Sequence, residues 1–563
     1  MANPNNIAII GGTACGPKAA ARARRRDQAA RITIIEQRDN LSTATCGLPY
    51  FISGVVKEGD LISRQTDYFR NVFDMNVLTN TKALSINRQA HTVEINDLKT
   101  DKYSSLLYDK LVIATGATPT VPNWEGKDLK GIFTLNNIPD AADIRDYVEG
   151  LKSKQVVIVG AGLIGLEAAE NFISAGLKVT ILEALGWPLP ALLDAEIGFH
   201  VEKQLKDKGV KVNFGQSVSG FRGDSTGQVR QVMVGDKAID AGMVLLALGV
   251  RPNVTLAKEA GLTIGATGGL AVNEHLRTSD PDIYAGGDCV EVTNLITQKK
   301  ALVPMGSTAN KHGRVIGTNV TGGSETFPGV VGTAVVKVFD LNVGRTGLSE
   351  AQARVAGYDV VTALVPGVDH ANYYPGSRDV FLKMVSEKSS GKLLGGQAVG
   401  TGDTSKRIDV LATALTFGAR ADDMANIDLS YAPPYNSAMD PLHNAANVIR
   451  NKQTGQARAL AAQEVKSKID KGDKFVLLDV RSPQEWRALH IAAPQVKLLP
   501  LPELRQRLGE LAKDEEIVIL CRTSVRAYQA QRILDGAGFK DVKFMDGSIS
   551  SWPYETASSP PEK

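Results

Sequence analysis

The sequence predicts a multidomain α/β protein: two successive dinucleotide-binding βαβ domains, an α+β domain, and a separate α/β domain at the C-terminus. Three observations carry the prediction. A short apolar strand, a glycine-bearing turn and a helix occur twice in that order, starting at residues 7 and 156. From about residue 327 the pattern changes to alternating strand signals with helices between them. A polar stretch at 451–455 then leads to a last α/β unit with a cysteine at a strand-to-helix turn. With 563 residues, and about 150 per domain, roughly four domains are expected.

Composition excludes several classes. Hydrophobic residues make up 43% and charged residues 22%, ordinary values for a folded chain. A net charge of +3 on 64 basic and 61 acidic residues argues against nucleic-acid or membrane partners. Cys15, Cys46, Cys289 and Cys521 are too scattered for a disulfide framework or a close-spaced zinc set, so no metal is expected. The apolar run 7–10 is too short for a signal-peptide core or a membrane span, so a cytoplasmic protein is expected.

The first unit has a strand at 7–10, a turn with Gly11, Gly12 and Gly16, a helix over 19–26, and a strand at 32–35 that ends in Glu36. Its turn is degenerate, because Thr13 stands at the middle glycine position. The second unit is regular: a strand at 156–159, Gly160, Gly162 and Gly165, a helix, and a strand at 179–182 ending in Glu183. Glycines at this spacing allow a tight turn, close approach to a pyrophosphate, and close helix–strand packing. A carboxylate at the Glu183 position accepts from a ribose 2′-hydroxyl and repels a 2′-phosphate, which favours NADH over NADPH. Strands at 332–339 and 380–384 and helices at 349–355 and 409–417 form the α+β region. The expected limits are 1–150 and 276–326 for the first nucleotide domain and 151–275 for the second. The α+β domain follows at 327–450, a linker at 451–462, the last domain at 463–556, and a disordered tail at 557–563.

Two further segments identify the first nucleotide. The run 111–117, with Thr115 and Gly116, and the run 278–288, ending in Asp288, resemble the remaining FAD signatures of the two-dinucleotide-binding flavoprotein disulfide reductases. The resemblance implies Rossmann-like FAD and NAD domains, with FAD held by Gly11, Gly12, Gly16, Glu36, Thr115, Gly116 and Asp288. NADH would lie on Gly160, Gly162, Gly165 and Glu183. Close after the first unit comes Ser42-Thr43-Ala44-Thr45-Cys46-Gly47-Leu48-Pro49-Tyr50. Dithiol relatives carry a second cysteine five residues on; here that residue is Phe51. A lone thiol must share its redox state with a substrate thiol or cycle through a sulfenic acid.

Cys46-Gly47-Leu48-Pro49-Tyr50 resembles the coenzyme A-disulfide reductase branch, over roughly residues 1–450. That resemblance implies a Cys46 mixed disulfide with coenzyme A, reduced by NADH through the flavin. It also implies substrate contacts from Lys18, Arg22, Arg25, Ser42 and Thr45, though the branch usually has Asn at Thr45. Lys18, Arg22 and Arg25 recur at helical spacing and suit the phosphates of coenzyme A; a solvated charged face is the competing reading. The branch is dimeric, and tyrosines matching Tyr373 and Tyr431 reach the partner's site, so a homodimer is expected. His443 lacks the nearby Glu of dithiol relatives and receives no acid/base role. Cys15 stands at a glycine position, either as a tolerated small residue or as a resolving thiol for Cys46.

In the last domain a strand at 517–520 runs into Cys521-Arg522-Thr523-Ser524-Val525-Arg526 and a helix. Free backbone N–H groups at such a turn favour an anionic thiol or persulfide. The arrangement resembles a rhodanese domain, with Cys521 as sulfur carrier, Arg526 closing the loop, and Asp479, Arg481 and Glu485 in the earlier motif. Ser524 replaces the usual loop glycine, and 488–491 lacks the usual glycine before His490. The joined readings point to an NADH-dependent reductase of coenzyme A persulfide, polysulfide or disulfide. An NADH oxidase or peroxidase using a Cys46 sulfenate, and a sulfurtransferase scaffold with a redox-sensing flavin part, are the alternatives.

Overall fold

The computed structural model describes residues 5–559. The chain divides into two compact units. One runs to Ala184 and takes in Gly209–Val330; the other combines Leu185–Lys208 with the chain from Val331 onward.

The first unit holds two parallel five-stranded sheets. In the first, the order is Ile283–Ala285, Lys110–Ile113, Asn6–Ile10, Arg31–Ile35, Asn76–Leu78. In the second it is Lys211–Phe214, Lys178–Glu183, Gln155–Val159, Met243–Leu246, Ile132–Phe133. Each glycine turn therefore leaves the central strand of its sheet. The strand Asn6–Ile10 is apolar on both sides because both faces are covered: Ile7 and Ile9 enter one core, Ala8 and Ile10 the other. The helix Cys15–Arg26 is rich in alanine, and Gly313 and Gly317 lie directly against it on the helix Gly306–Asn319. A Cβ on Gly317 would stand 2.4 Å from the Ala19 carbonyl oxygen, so small residues on both helices permit this approach.

Two boundaries differ from expectation. Ile132–Phe133 pairs with Met243–Leu246, so the second sheet recruits chain well before residue 151. Val250–Pro252 pairs with Ala117–Pro119, and Leu262 and Leu270 are buried in the first domain's core, so the chain returns well before residue 276. Strands of two or three residues carry no readable periodicity, which is why sequence pattern misplaces both.

In the second unit an antiparallel sheet runs Ala334–Val338, Leu341–Gly347, Leu393–Gly400, Asp379–Glu387, Val360–Val368. A parallel sheet runs Ala459–Leu460, Val542–Met545, Ile517–Leu520, Val476–Asp479, Val496–Leu498. The expected linker is mostly structured: the helix Pro441–Gln453 enters it and Ala459–Leu460 already belongs to the last sheet. The expected tail is ordered at its start, since Ala557 exchanges backbone hydrogen bonds with His490 and the Ser559 N–H donates to the Arg487 carbonyl. Residues 560–563 of that tail lie outside the described residues.

Lys383, 2% exposed, lies among Asp194, Glu196 and Glu350, at 3.0 Å from Asp194 and 2.7 Å from Glu350. Asp194 also accepts from the Glu350 and Ala351 N–H groups, at 2.9 and 3.2 Å. Burial alone would lower the Lys383 pKa, but the three carboxylates outweigh it and hold the ammonium charged. A cluster of carboxylates with the spacing of a cation site is thus filled by the protein's own cation.

Candidate active site

The two nucleotide turns are built alike. Gly11 and Gly160 adopt φ of 109° and 107°, and a Cβ on either would strike the Ala114 or Ala247 carbonyl oxygen at 2.1 or 2.4 Å. Gly16 and Gly165 press on the carbonyls of Gly11 and Gly160. Apart from its chain neighbours, no described residue lies within 4 Å of the Cβ position of Gly162, which leaves room there for a group from outside. The carboxylate of Glu36, 6% exposed, accepts from the Gly12 N–H at 2.7 Å, and Glu183 accepts from the Ala161 N–H at 2.9 Å. Both acidic strand ends therefore fix their turns as well as offering lone pairs.

A cleft of about 410 Å³ opens beside the first turn, lined by Gly11, Glu36, Thr45, Thr115, Gly116 and Asp288 among others. Burial pushes the Asp288 carboxyl up. Asn253, which sequence reasoning missed, ties down one wall: its side chain donates to the Thr115 carbonyl at 2.9 Å, and its N–H donates to Gly116. The open cradle, the acidic strand end and the aspartate at the far wall fit FAD, and these residues would hold it.

The Cys46 loop hangs from this turn. The Ser42 N–H donates to the Gly12 carbonyl at 2.8 Å, the Ala44 N–H to Leu61 at 2.7 Å, and the Ser63 N–H to Ser42 at 2.9 Å. Cys46 lies in the single turn Thr45–Gly47 and is exposed, whereas Cys15, Cys289 and Cys521 are buried. On its inner side, partial burial and the carboxylates of Glu167 and Asp288 push its thiol up. Glu167, also missed in the sequence, sits on the helix Leu163–Ser174 that begins at the second glycine turn. Burial raises it to about 7, opposed by the Tyr50 hydroxyl, which donates at 3.4 Å. Its one sequence signal is a charge inside an otherwise apolar stretch, 163–169.

Cys15 is 4% exposed and packs against Gly286 and Gly287; burial and the neighbouring Cys289 and Asp288 keep its thiol protonated. It behaves as a packing residue. Lys18 is exposed, Arg22 donates to the Thr318 hydroxyl at 3.0 Å, and Arg25 lies over the Phe73 ring at 5.8 Å.

In the second unit, Tyr373 and Tyr431 are 75% and 52% exposed, and their hydroxyls meet at 3.3 Å. The loops carrying them are joined by the Ala371 N–H donating to the Pro433 carbonyl. Both nitrogens of His443 are engaged by backbone, the Asp440 N–H at 3.2 Å and the Ile427 carbonyl at 2.8 Å.

In the C-terminal domain, Cys521 follows the strand Ile517–Leu520 directly. Arg526 forms a forked pair with Glu485 at 2.8 and 2.6 Å, and these bonds hold the Glu485 carboxyl down at about 2. Arg481 pairs with Asp479 and donates to the Leu489 carbonyl at 2.7 Å. Where a glycine is usual, Ser524 adopts φ of 75°. His490 stacks on Trp486 with centroids 3.8 Å apart.

Two nucleotide cradles in one compact unit, with an exposed thiol suspended from the first, suit two-electron exchange between a pyridine nucleotide and sulfur by way of a flavin. The fold and site thus define a flavin- and pyridine-nucleotide-dependent oxidoreductase acting on a sulfur group. Residues 5–309 match the pyridine nucleotide-disulphide oxidoreductase family, residues 333–443 its dimerisation domain, and residues 461–554 the rhodanese-like domain. The chain belongs to the pyridine nucleotide-disulphide oxidoreductases. The NAD(P)H coenzyme A polysulfide/persulfide reductase of Pyrococcus horikoshii is 37% identical, over 79% of this chain and 98% of that one. The solved NAD-dependent persulfide reductase from A. fulgidus is 42% identical, covers 97% of this chain and 100% of its own, and superposes with a TM-score of 0.92. Reduced CoADR-RHD of Bacillus anthracis is 34% identical, with 98% of both chains covered and a TM-score of 0.92.

Proposed function

We propose that this chain reduces coenzyme A persulfide or polysulfide, and coenzyme A disulfide, with NADH, using Cys46 as its single redox thiol and Cys521 as a carrier of sulfane sulfur. One observation carries the reading: of the four cysteines only Cys46 is exposed, and its loop is tied to the FAD turn through Ser42 and Gly12. FAD, when bound, supplies acceptance of hydride from NADH and delivery of two electrons to a sulfur–sulfur bond.

The residues of the chain do the rest. The Cys46 thiolate attacks a sulfur of the substrate, forming a mixed disulfide and releasing the other sulfur fragment as its thiolate or as sulfide. Two electrons returned to that bond regenerate the Cys46 thiolate and free coenzyme A. Glu167, raised to about 7, takes up or gives back a thiol proton near neutral pH. Lys18, exposed beside Arg22 and Arg25 on one helix, offers positive charge to the phosphates of coenzyme A. Tyr373 and Tyr431 of a second copy complete the site of a homodimer, and their paired hydroxyls can protonate a departing thiolate. Among the described residues no helix is long and apolar enough to cross a membrane; a cytoplasmic location is part of the proposal.

The test is anaerobic NADH oxidation with coenzyme A persulfide. NADH-coupled sulfide release is expected. Oxygen uptake without any thiol substrate, in place of sulfide release, would select the oxidase reading instead.

A further inference from the structure

Two serines in the C-terminal domain occupy backbone conformations that favour glycine, and they face each other. Ser524 has φ of 75° and Ser548 has φ of 49°, and their hydroxyl oxygens are 3.4 Å apart. A non-glycine residue there stores roughly 1 kcal/mol or more, and two such residues in contact ask for a purpose. Ser548 is fully buried against Cys521: it accepts the Cys521 N–H at 3.2 Å, and its own proton can go to the Cys521 Sγ at 3.8 Å or to the Met545 carbonyl at 3.3 Å. The Ser524 proton has a matching choice, the Met545 carbonyl at 3.2 Å or the Ser548 oxygen. Arg526, the loop-closing cation, is already committed to Glu485.

We propose that Ser548 donates to the Cys521 sulfur as that sulfur becomes a thiolate, and that Ser524 is the positioning residue that frees the Ser548 proton to do so. With a neutral or sulfur-loaded Cys521, Ser524 donates to Ser548 and Ser548 to the Met545 carbonyl. When charge develops on Sγ, both protons turn together: Ser548 donates to Sγ and Ser524 takes over the Met545 carbonyl. The Met545 carbonyl keeps a hydroxyl donor in both states. The loop is held from behind by Asp546, whose carboxylate accepts from Lys452 at 2.6 Å.

The step served is sulfur transfer out of Cys521, so the proposal rests on the sulfur-carrier reading above. An acceptor nucleophile attacks the outer sulfur of the persulfide, a bond forms between them, and the bond to Sγ breaks. The electron pair stays on Sγ as the thiolate that Ser548 receives. Net oxidation state is unchanged.

Full-length protein in a Cys46→Ser background, loaded with polysulfide and mixed with cyanide, reads this step as thiocyanate formed in a single turnover. Ser548→Gly should slow it roughly tenfold, the worth of one hydrogen bond to a charged sulfur. Ser524→Gly should slow it comparably, and the double variant no further than Ser548→Gly alone. Glycine suits both backbone positions and offsets part of the cost of the lost hydrogen bonds, so each variant should still fold, as a cooperative melting transition will show. Transfer at the parent rate in Ser548→Gly, or slowing that multiplies in the double variant, would overturn the proposal alone. A parent that loads no sulfur would overturn the carrier reading and the proposal with it.

Discussion

Cys46 and Glu167 show how one residue's environment sets another's chemistry. Partial burial and two carboxylates raise the Cys46 thiol, and Glu167 is itself poised near 7. Glu167→Gln removes one of those charges, so the alkylation profile of Cys46 should move to lower pH; an unchanged profile would remove Glu167 from its surroundings. The stability consequence has a definite sign. A carboxyl whose folded pKa lies above its unfolded value binds more protons when folded, so it stabilises at low pH and loses that contribution as pH rises toward 7. The Glu167 contribution should therefore fall between about pH 4.5 and 7, read as the difference in melting temperature between wild type and the Gln variant across that window, since the buried His200 and His312, both lowered to about 4, make the opposite contribution in each protein. At this scale the sequence was readable where a signal is local. Glycine spacing marked both cradles, and Glu36 and Glu183 followed from strand ends. Asn253 and Ser548 were not readable, because each acts on a segment far away in the chain: Asn253 on Thr115, Ser548 on Cys521.

Among elements, close helix packing and one buried ion cluster carry most of the testable weight. Gly317→Leu would push the helix Gly306–Asn319 off the helix Cys15–Arg26, which begins at the FAD turn. Overpacking of this kind costs about 1–3 kcal/mol, and FAD retention through gel filtration should fall with it. Lys383→Met would leave Asp194, Glu196 and Glu350 without their central cation, at a cost of roughly 3–5 kcal/mol, readable in a denaturant midpoint. Long apolar strands were legible here, and 517–520 was placed to the residue. The edge pieces Ile132–Phe133 and Ala459–Leu460 were not, since two residues show no period. Nor was the Lys383 cluster, whose members are spread from residue 194 to residue 383.

For the whole molecule, the fused rhodanese-like domain is the feature that separates this chain from a plain disulfide reductase. If Tyr373 and Tyr431 serve the partner's thiol, then chains inactivated by Cys46→Ser and by Tyr373→Phe with Tyr431→Phe should complement when co-expressed. Each mixed dimer would have one doubly damaged site and one intact site, giving about half the wild-type activity. No recovery would mean that each chain uses its own tyrosines or neither. The proposed activity depends above all on a thiol that shares its bond with a substrate sulfur. Mass spectrometry of the protein after exposure to coenzyme A disulfide tests that most directly. A coenzyme A adduct on Cys46 that NADH removes under anaerobic conditions is expected; an unmodified Cys46, with a Cys46→Ser variant turning over at the wild-type rate, would contradict the proposed role of this thiol.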